Sequence, residues 1–204
     1  MKQYAFLFLF LLVCACNDDG IREDDKGNTI FTYKPLGWTM QLPKDWQVLS
    51  AVERDKLDYA AQNFYEEANG KNKGGEKKII MGVRKGESNM NACYAFVRSY
   101  ARDEDYPSLR DLLRQQKQQY SNGAYYAHDT LVKDTLGGHA FEKAVLTVSY
   151  NNKPYFTYTT YSTMIDTLNF GVSIVTNNKT DEMMLNNNFR QSATGIRIPK
   201  STAE

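Results

Sequence analysis

Four segments of alternating apolar and polar residues follow one another near the end of the chain, and they constrain the fold more than any other feature. The alternation predicts strands at about residues 125–132, 140–150, 155–164 and 168–176. The segments between them are short and contain the turn-forming residues Gly137-Gly138, Asn151-Asn152 and Asp166. Because short connections join antiparallel neighbours, the sequence predicts a four-stranded antiparallel meander.

Shorter patterns predict further strands at residues 29–33, 38–42, 78–85 and 92–100. Gly, Pro and Asn residues separate these segments, as is typical of turns between strands. No internal repeat or second core is visible in the sequence. We therefore expect one α+β domain over residues 29–199, in which helices flank an antiparallel β-sheet.

Three amphipathic segments predict helices. The first is expected to begin near Ser50 and to bury Val52, and the second follows Pro107. The third is expected to begin at Thr180, whose hydroxyl would cap it, and to end at Gly195.

The segment Gly37-Trp38-Thr39-Met40-Gln41-Leu42-Pro43-Lys44-Asp45-Trp46 resembles the opening of PsbP-like domains, in the Mog/PsbP superfamily. The order of elements is also similar, with a long meander and a closing helix followed by a short apolar strand at residues 194–198. The resemblance covers about residues 28–198 and implies an α/β/α sandwich around an antiparallel sheet. Known members are mostly non-enzymatic and share no catalytic residue, so the resemblance transfers none to this chain.

The first sixteen residues resemble a bacterial lipoprotein signal. Lys2 precedes an apolar run at residues 4–13, which is too short to span a bilayer as a helix. Val13-Cys14-Ala15-Cys16 resembles the lipobox, in which a small residue directly precedes the lipidated cysteine. This predicts a signal peptide at residues 1–15 and lipidation of Cys16, whereas Val13 disqualifies Cys14. The alternative is an ordinary signal peptide with incidental cysteines.

Residues 16–28 are polar and acidic, which predicts a lipidated flexible tether. Acidic clusters after the lipidated cysteine resemble surface-export signals of some gram-negative envelopes. We expect the outer membrane, at its periplasmic or surface face. A solvated linker without sorting content is the alternative.

The charge of the chain excludes nucleic-acid binding as the main function. The chain has 25 Lys and Arg against 24 Asp and Glu, a formal charge of +1. Removal of residues 1–15 takes away Lys2 and no acidic residue, so the mature chain is neutral. A neutral chain has no basic field for a polyanion, so membrane association is expected to rest on lipid.

Residues that support catalysis or metal binding are few. His128 and His139 are the two histidines, and Cys93 is the one thiol left beside Cys16 after processing. We expect no metal site, no cofactor and no catalytic residue, with Cys93 in the core. The acidic run at residues 103–105 is interpreted as a solvated loop.

Two motifs indicate surface roles. Aromatic residues cluster around one hairpin, where alternation places Tyr155 and Tyr161 on the face opposite Phe156 and Tyr158. Tyr155 and Tyr161 are candidate contacts for a partner protein or a glycan, with cross-strand packing as the alternative. Three Asp-Thr-Leu segments resemble O-glycosylation acceptors of some exported gram-negative proteins, with Thr130, Thr135 and Thr167 as acceptors. Ordinary turn chemistry is the alternative for these segments.

These observations favour a non-enzymatic cell-envelope lipoprotein that acts as a protein-binding or scaffolding module. A glycan-processing or hydrolytic accessory enzyme is the first alternative, and paired carboxylates in a deep pocket would identify it. A carrier of small apolar ligands is the second alternative, for which an enclosed cavity beneath the sheet is the expected sign.

Overall fold

The computed structural model describes residues 20–69, 75, 77–87, 90–100, 109–121 and 123–197. The described strands are β1 (Ile21–Glu23), β2 (Thr29–Tyr33), β3 (Trp38–Gln41), β4 (Gln47–Val48), β5 (Lys77–Arg84), β6 (Ala92–Ser99), β7 (Tyr125–Leu136), β8 (His139–Tyr150), β9 (Lys153–Ile165) and β10 (Leu168–Thr176). The helices are α1 (Ala51–Asn69), α2 (Leu109–Tyr120) and α3 (Lys179–Ser192). None of these helices is both long and apolar enough to cross a membrane.

The strands form two antiparallel sheets. The small sheet has the order β1-β2-β3, and the large sheet has the order β4-β5-β6-β10-β9-β8-β7. The meander β7-β8-β9-β10 is the one that the sequence predicts, and β10 continues the large sheet by pairing with β6. The predicted α+β class with a flanked antiparallel sheet is therefore confirmed.

Two hydrophobic cores lie on opposite faces of the large sheet. The first core joins the large sheet to the small sheet and α3, and it contains Trp38, Phe170 and Phe189. The second core joins α2 to β7, β8 and β9, with Leu113 and Phe156 among its members. The meander strands contribute side chains to both cores, because successive side chains of a strand point to opposite faces.

Residues 20–28, which belong to the segment for which the composition predicts a flexible tether, include strand β1. Gly20 has a φ of 62° and its carbonyl accepts a 2.9 Å hydrogen bond from the Thr32 amide. A Cβ atom at Gly20 would lie 2.1 Å from the Thr32 carbonyl oxygen, so this approach requires glycine. Ile21 then packs against the first core. The residues before 20, including the predicted signal peptide and Cys16, lie outside the described residues.

Three expectations about the helices and the segment after α3 are wrong. Val52 is 63% exposed, while Arg54, two residues further along the chain, is buried and donates a hydrogen bond to the Leu49 carbonyl. The cap of α3 is Asn178 rather than Thr180, because the Asn178 side chain accepts a hydrogen bond from the Asp181 amide. After α3, residues 193–195 form a 3-10 turn and residues 196–197 are not in a strand, so the expected closing strand is wrong for these residues. Ile198 lies outside the described residues.

Candidate binding surface

Three partly exposed tyrosine rings meet at the β8–β9 hairpin. The ring centroids of Tyr125 and Tyr150 are 4.9 Å apart, and those of Tyr125 and Tyr155 are 5.9 Å apart. Tyr150 and Tyr155 close the triangle at 6.5 Å. Each side chain is between 38% and 44% exposed. We refer to Tyr125, Tyr150 and Tyr155 as the tyrosine cluster.

Strand register brings these three rings together. Tyr125 and Tyr150 are direct partners in the β7–β8 pairing. On β9, Phe156 pairs with Val148 and Pro154 with Ser149, so Tyr155 is an extra residue between them. Such a bulge breaks the alternation of side chains. It explains why Tyr155 joins the two rings across the hairpin.

The backbone conformation and one hydrogen bond fix the turn between β8 and β9. Asn151 and Asn152 have φ values of 48° and 62°, which is the left-handed backbone that asparagine tolerates best among non-glycine residues. The Asn151 amide donates a 3.0 Å hydrogen bond to the Ala124 carbonyl, which holds the turn against the start of β7.

The tyrosine cluster is joined through Tyr155 to two further aromatic rings. The Tyr155 ring lies 5.6 Å from Phe156, which is buried in the second core, and Phe156 lies 5.3 Å from Tyr120 of α2. Edge-on contacts of this kind restrict the orientation of the rings. Burial also raises the pKa of Tyr120 above its ordinary value of 10.0. The exposed rings therefore form a supported surface rather than isolated side chains.

A depression of about 300 Å³ lies beside the cluster, lined by Tyr150, Asn151, Lys153, Pro154 and Tyr155. Its lining combines aromatic rings with amide groups and one ammonium group from Lys153. Interface hot spots have a similar composition, because large rings bury apolar area at little entropic cost while polar groups form the rim.

The structure separates the two tyrosines that the sequence selected together. Tyr155 lies in the exposed cluster, whereas Tyr161 is fully buried in the first core. The Tyr161 ring lies 4.8 Å from Phe189, and its hydroxyl donates a 2.8 Å hydrogen bond to Asn186 of α3. The assignment of Tyr161 as a surface contact is therefore wrong. Tyr125 takes its place, and direct pairing across β7 and β8 is the signal that would have found it.

The three candidate acceptor threonines differ in exposure. Thr130 and Thr135 are exposed on β7, which is an edge strand, while Thr167 is half-buried in the β9–β10 turn. Asp129 forms a 2.5 Å ion pair with Lys117, whose hydrogen bond lowers the pKa of that carboxyl group. Because Asp129 faces α2, Thr130 points away from the helix.

Cys93 is not part of a nucleophilic pair with either histidine. The thiol is fully buried on β6, and burial raises its pKa to about 12. His139 lies on β8 and His128 on β7, three and four strands from β6, so they are at least about 14 Å and about 19 Å away at the usual strand spacing. Among the residues that the structure describes, no three His, Cys, Asp or Glu side chains form a metal-binding group. The acidic run at residues 103–105 lies outside them.

Comparisons with known proteins support the fold. No protein-family model matches the chain, and no curated protein matches it. Among solved structures, the solution structure of cyanobacterial PsbP (CyanoP) from Synechocystis sp. PCC 6803 is similar, with a TM-score of 0.51 and 10% sequence identity. The match covers 83% of this chain and 91% of that chain. At this identity the likeness shows a PsbP-like fold and no more, which confirms the fold that the sequence resemblance implies.

Proposed function

We propose that this chain is a non-enzymatic, lipid-anchored protein of the cell envelope whose PsbP-like domain binds a protein partner through the tyrosine cluster. The observation that carries the proposal is the triangle of half-exposed rings at Tyr125, Tyr150 and Tyr155. Tyrosine is enriched at binding hot spots because it contributes a large contact area with few rotatable bonds.

The support beneath the rings favours a macromolecular partner. Phe156, which packs on Tyr120, restricts the Tyr155 ring before binding, so ordering this ring on association would cost little. Lys153 and the hairpin amides supply a polar rim around the apolar centre. An apolar-ligand carrier or an accessory enzyme would instead use an enclosed cavity or paired carboxylates, and these functions stay as alternatives.

The test compares two neighbouring tyrosines on opposite faces of β7. The protein is crosslinked in its native membranes, the partner is identified, and its affinity is measured with purified components. Tyr125→Ala combined with Tyr155→Ala is expected to weaken binding at least about tenfold. Tyr126→Ala is the matched control, because Tyr126 is 65% exposed on the other face. Equal effects of the two variants, or repeated recovery of no partner, would contradict the proposal.

The membrane anchor is proposed to be the lipid on Cys16. Two or more acyl chains give stable attachment, since each buried methylene contributes about 0.8 kcal/mol. Cys16→Ala is expected to abolish incorporation of labelled fatty acid and to release the protein from the outer-membrane fraction. Cys14→Ala is the control and should leave both unchanged. Loss of fatty-acid labelling in Cys14→Ala instead of Cys16→Ala would refute this assignment.

We also propose O-glycosylation at Thr130, Thr135 and Thr167. The first two hydroxyls are exposed on an edge strand, where a modifying enzyme has access. Intact mass of protein from its native host should fall by one glycan for each threonine changed to alanine. Thr180→Ala is the control, because Thr180 is exposed but follows a lysine. An intact mass equal to the lipidated polypeptide alone would refute the modification.

A further inference from the structure

A row of buried polar side chains crosses the large sheet on the face that carries α1 and α2. Helix α1 packs against β5, and α2 packs against β7 and β8. The strands between them bear the buried polar residues Arg98, Thr160, Ser162, Asn169 and Ser173. A polar sheet face in the interior is costly unless each group finds a partner.

The neutral members of this row satisfy one another. The Tyr158 hydroxyl donates a 3.1 Å hydrogen bond to Ser173, and Ser173 shares a 3.2 Å hydrogen bond with Thr160. The Asn169 side chain donates a 2.8 Å hydrogen bond to Ser162. Hydrogen bonds within the protein therefore pair these hydroxyl and amide groups, and the charged groups need a separate explanation.

Two cations face each other at the end of this row. Lys77 on β5 is the direct cross-strand partner of Arg98 on β6. The Lys77 ammonium lies 4.5 Å from the centre of the Phe96 ring, which places it on the same face as Arg98. Like charges opposite each other on neighbouring strands repel. Arg98 is only 8% exposed, so water screens this repulsion poorly.

The hydrogen bonds of Arg98 are incomplete. Its Nη1 atom donates a weak 3.5 Å hydrogen bond to the Tyr100 hydroxyl. Its Nε atom is buried and has no hydrogen-bond partner among the described residues. A buried guanidinium donor without an acceptor is destabilising, because its lost hydration is not replaced.

Among the described residues, the carboxylate of Asp58 acts on Lys77. Asp58 of α1 accepts a 2.5 Å hydrogen bond from the Ile79 amide through Oδ2. Burial lowers the pKa of Lys77, and Arg98 lowers it further, against the opposing influence of Tyr158 and Asp58. The described charged groups around this point therefore carry a net positive charge.

We propose that Lys77 and Arg98 form a binding site for a small organic anion, whose carboxylate or phosphoryl oxygens pair with the two cations. The oxyanion would accept from Arg98 Nε and relieve the repulsion between the cations. This site is on different residues from the tyrosine cluster and does not depend on the proposed function.

The test measures anion binding by the purified full chain. Sodium phosphate and sodium glucuronate are the probes, with sodium chloride at matched ionic strength, and calorimetry and the melting temperature are the readouts. We expect saturable binding of at least one probe, which tells a phosphoryl from a carboxylate ligand. Lys77→Met and Arg98→Lys are expected to weaken it about tenfold or more. Lys78→Met is the matched control, because Lys78 is the exposed neighbour on the same strand.

The melting temperature of Lys77→Met gives a second readout that needs no ligand. It tests the proposal even if the Arg98 variant does not fold. In chloride alone, Lys77→Met is expected to melt at or above the wild-type temperature, since it removes one of two repelling cations. Two results would overturn the proposal. The first is that neither probe exceeds chloride, and the second is that Lys78→Met loses as much affinity as Lys77→Met.

Discussion

The indole N–H of Trp38 donates a 2.9 Å hydrogen bond to Oγ of Ser192, 154 positions further along the chain. The Ser192 hydroxyl in turn donates a 2.6 Å hydrogen bond to the Phe189 carbonyl in the last turns of α3. The Trp38 ring is fully buried and lies edge-on to Phe31 at 5.8 Å and to Phe170 at 4.9 Å. Trp38 therefore fastens the small sheet to both the large sheet and α3.

Ser192→Ala should destabilise the protein by about 1–3 kcal/mol, because it leaves the buried indole N–H without an acceptor. Urea unfolding followed by tryptophan fluorescence measures the change. Thr194→Ala is the control: its hydroxyl is exposed and bonds the Gln191 carbonyl, so about 0.5 kcal/mol or less is expected. Equal losses in the two variants would show that the Trp38 hydrogen bond contributes nothing specific.

The β7–β8 turn distinguishes backbone strain from close approach. Gly137 and Gly138 have φ values of 58° and 84°, so alanine is strained at both positions. A Cβ atom at Gly137 would also lie 2.2 Å from the Ala193 carbonyl oxygen, whereas nothing lies within 4 Å at Gly138. Gly138→Ala should cost about 1–2 kcal/mol in unfolding free energy. Gly137→Ala should cost clearly more in the same unfolding experiment, and equal costs would contradict the contact between this turn and the end of α3.

The start of α3 gives a prediction that separates two capping residues. Asn178→Ala should cost about 1 kcal/mol of stability, because its side chain satisfies the Asp181 amide and also donates to the Asp181 carboxylate. Thr180→Ala should be nearly neutral, because Thr180 is exposed within the first turn. Chemical denaturation of both variants is the measurement. A larger loss for Thr180→Ala would restore the cap that the sequence favoured.

The meander can be predicted from the sequence because each of its strands alternates apolar and polar residues over several positions. Leu146 and Val148 mark one face of β8 without reference to any other strand. Strand β1 carries no such signal, since Ile21-Arg22-Glu23 is too short to show a period. Its position depends on Gly20 and Thr32, which meet only in the folded chain.

The candidate sites depend on register, which local patterns do not specify. The bulge at Tyr155 shifts the alternation by one residue, so a period-two pattern assigns Tyr155 and Tyr161 to one face. Lys77 and Arg98 likewise become neighbours only through the β5–β6 pairing. Sequence reasoning therefore identifies aromatic and charged residues but not which of them meet.

Because the Cys93 thiol is buried, we expect the protein to lose stability at alkaline pH. Burial raises the pKa of the thiol from 9.0 to about 12 in the folded state. The unfolded chain releases the proton near its ordinary pKa, whereas the folded protein keeps it. The stability that Cys93 contributes is therefore complete below pH 9 and is lost progressively as the pH rises toward 12.

Comparison of the wild type with Cys93→Ala isolates this effect from other groups. Tyr94, whose pKa is raised to about 12 mainly by burial, is present in both proteins, so its titration largely cancels in the difference. Relative to Cys93→Ala, the wild type should lose about 2 kcal/mol between pH 8 and pH 10.5, because each pH unit above the unfolded pKa of 9.0 costs about 1.4 kcal/mol while little is lost below it. Urea unfolding at the two pH values measures the difference. If the stabilities of the two proteins stay parallel across this range, the thiol is accessible to water in the folded state and the buried position of Cys93 on β6 is wrong.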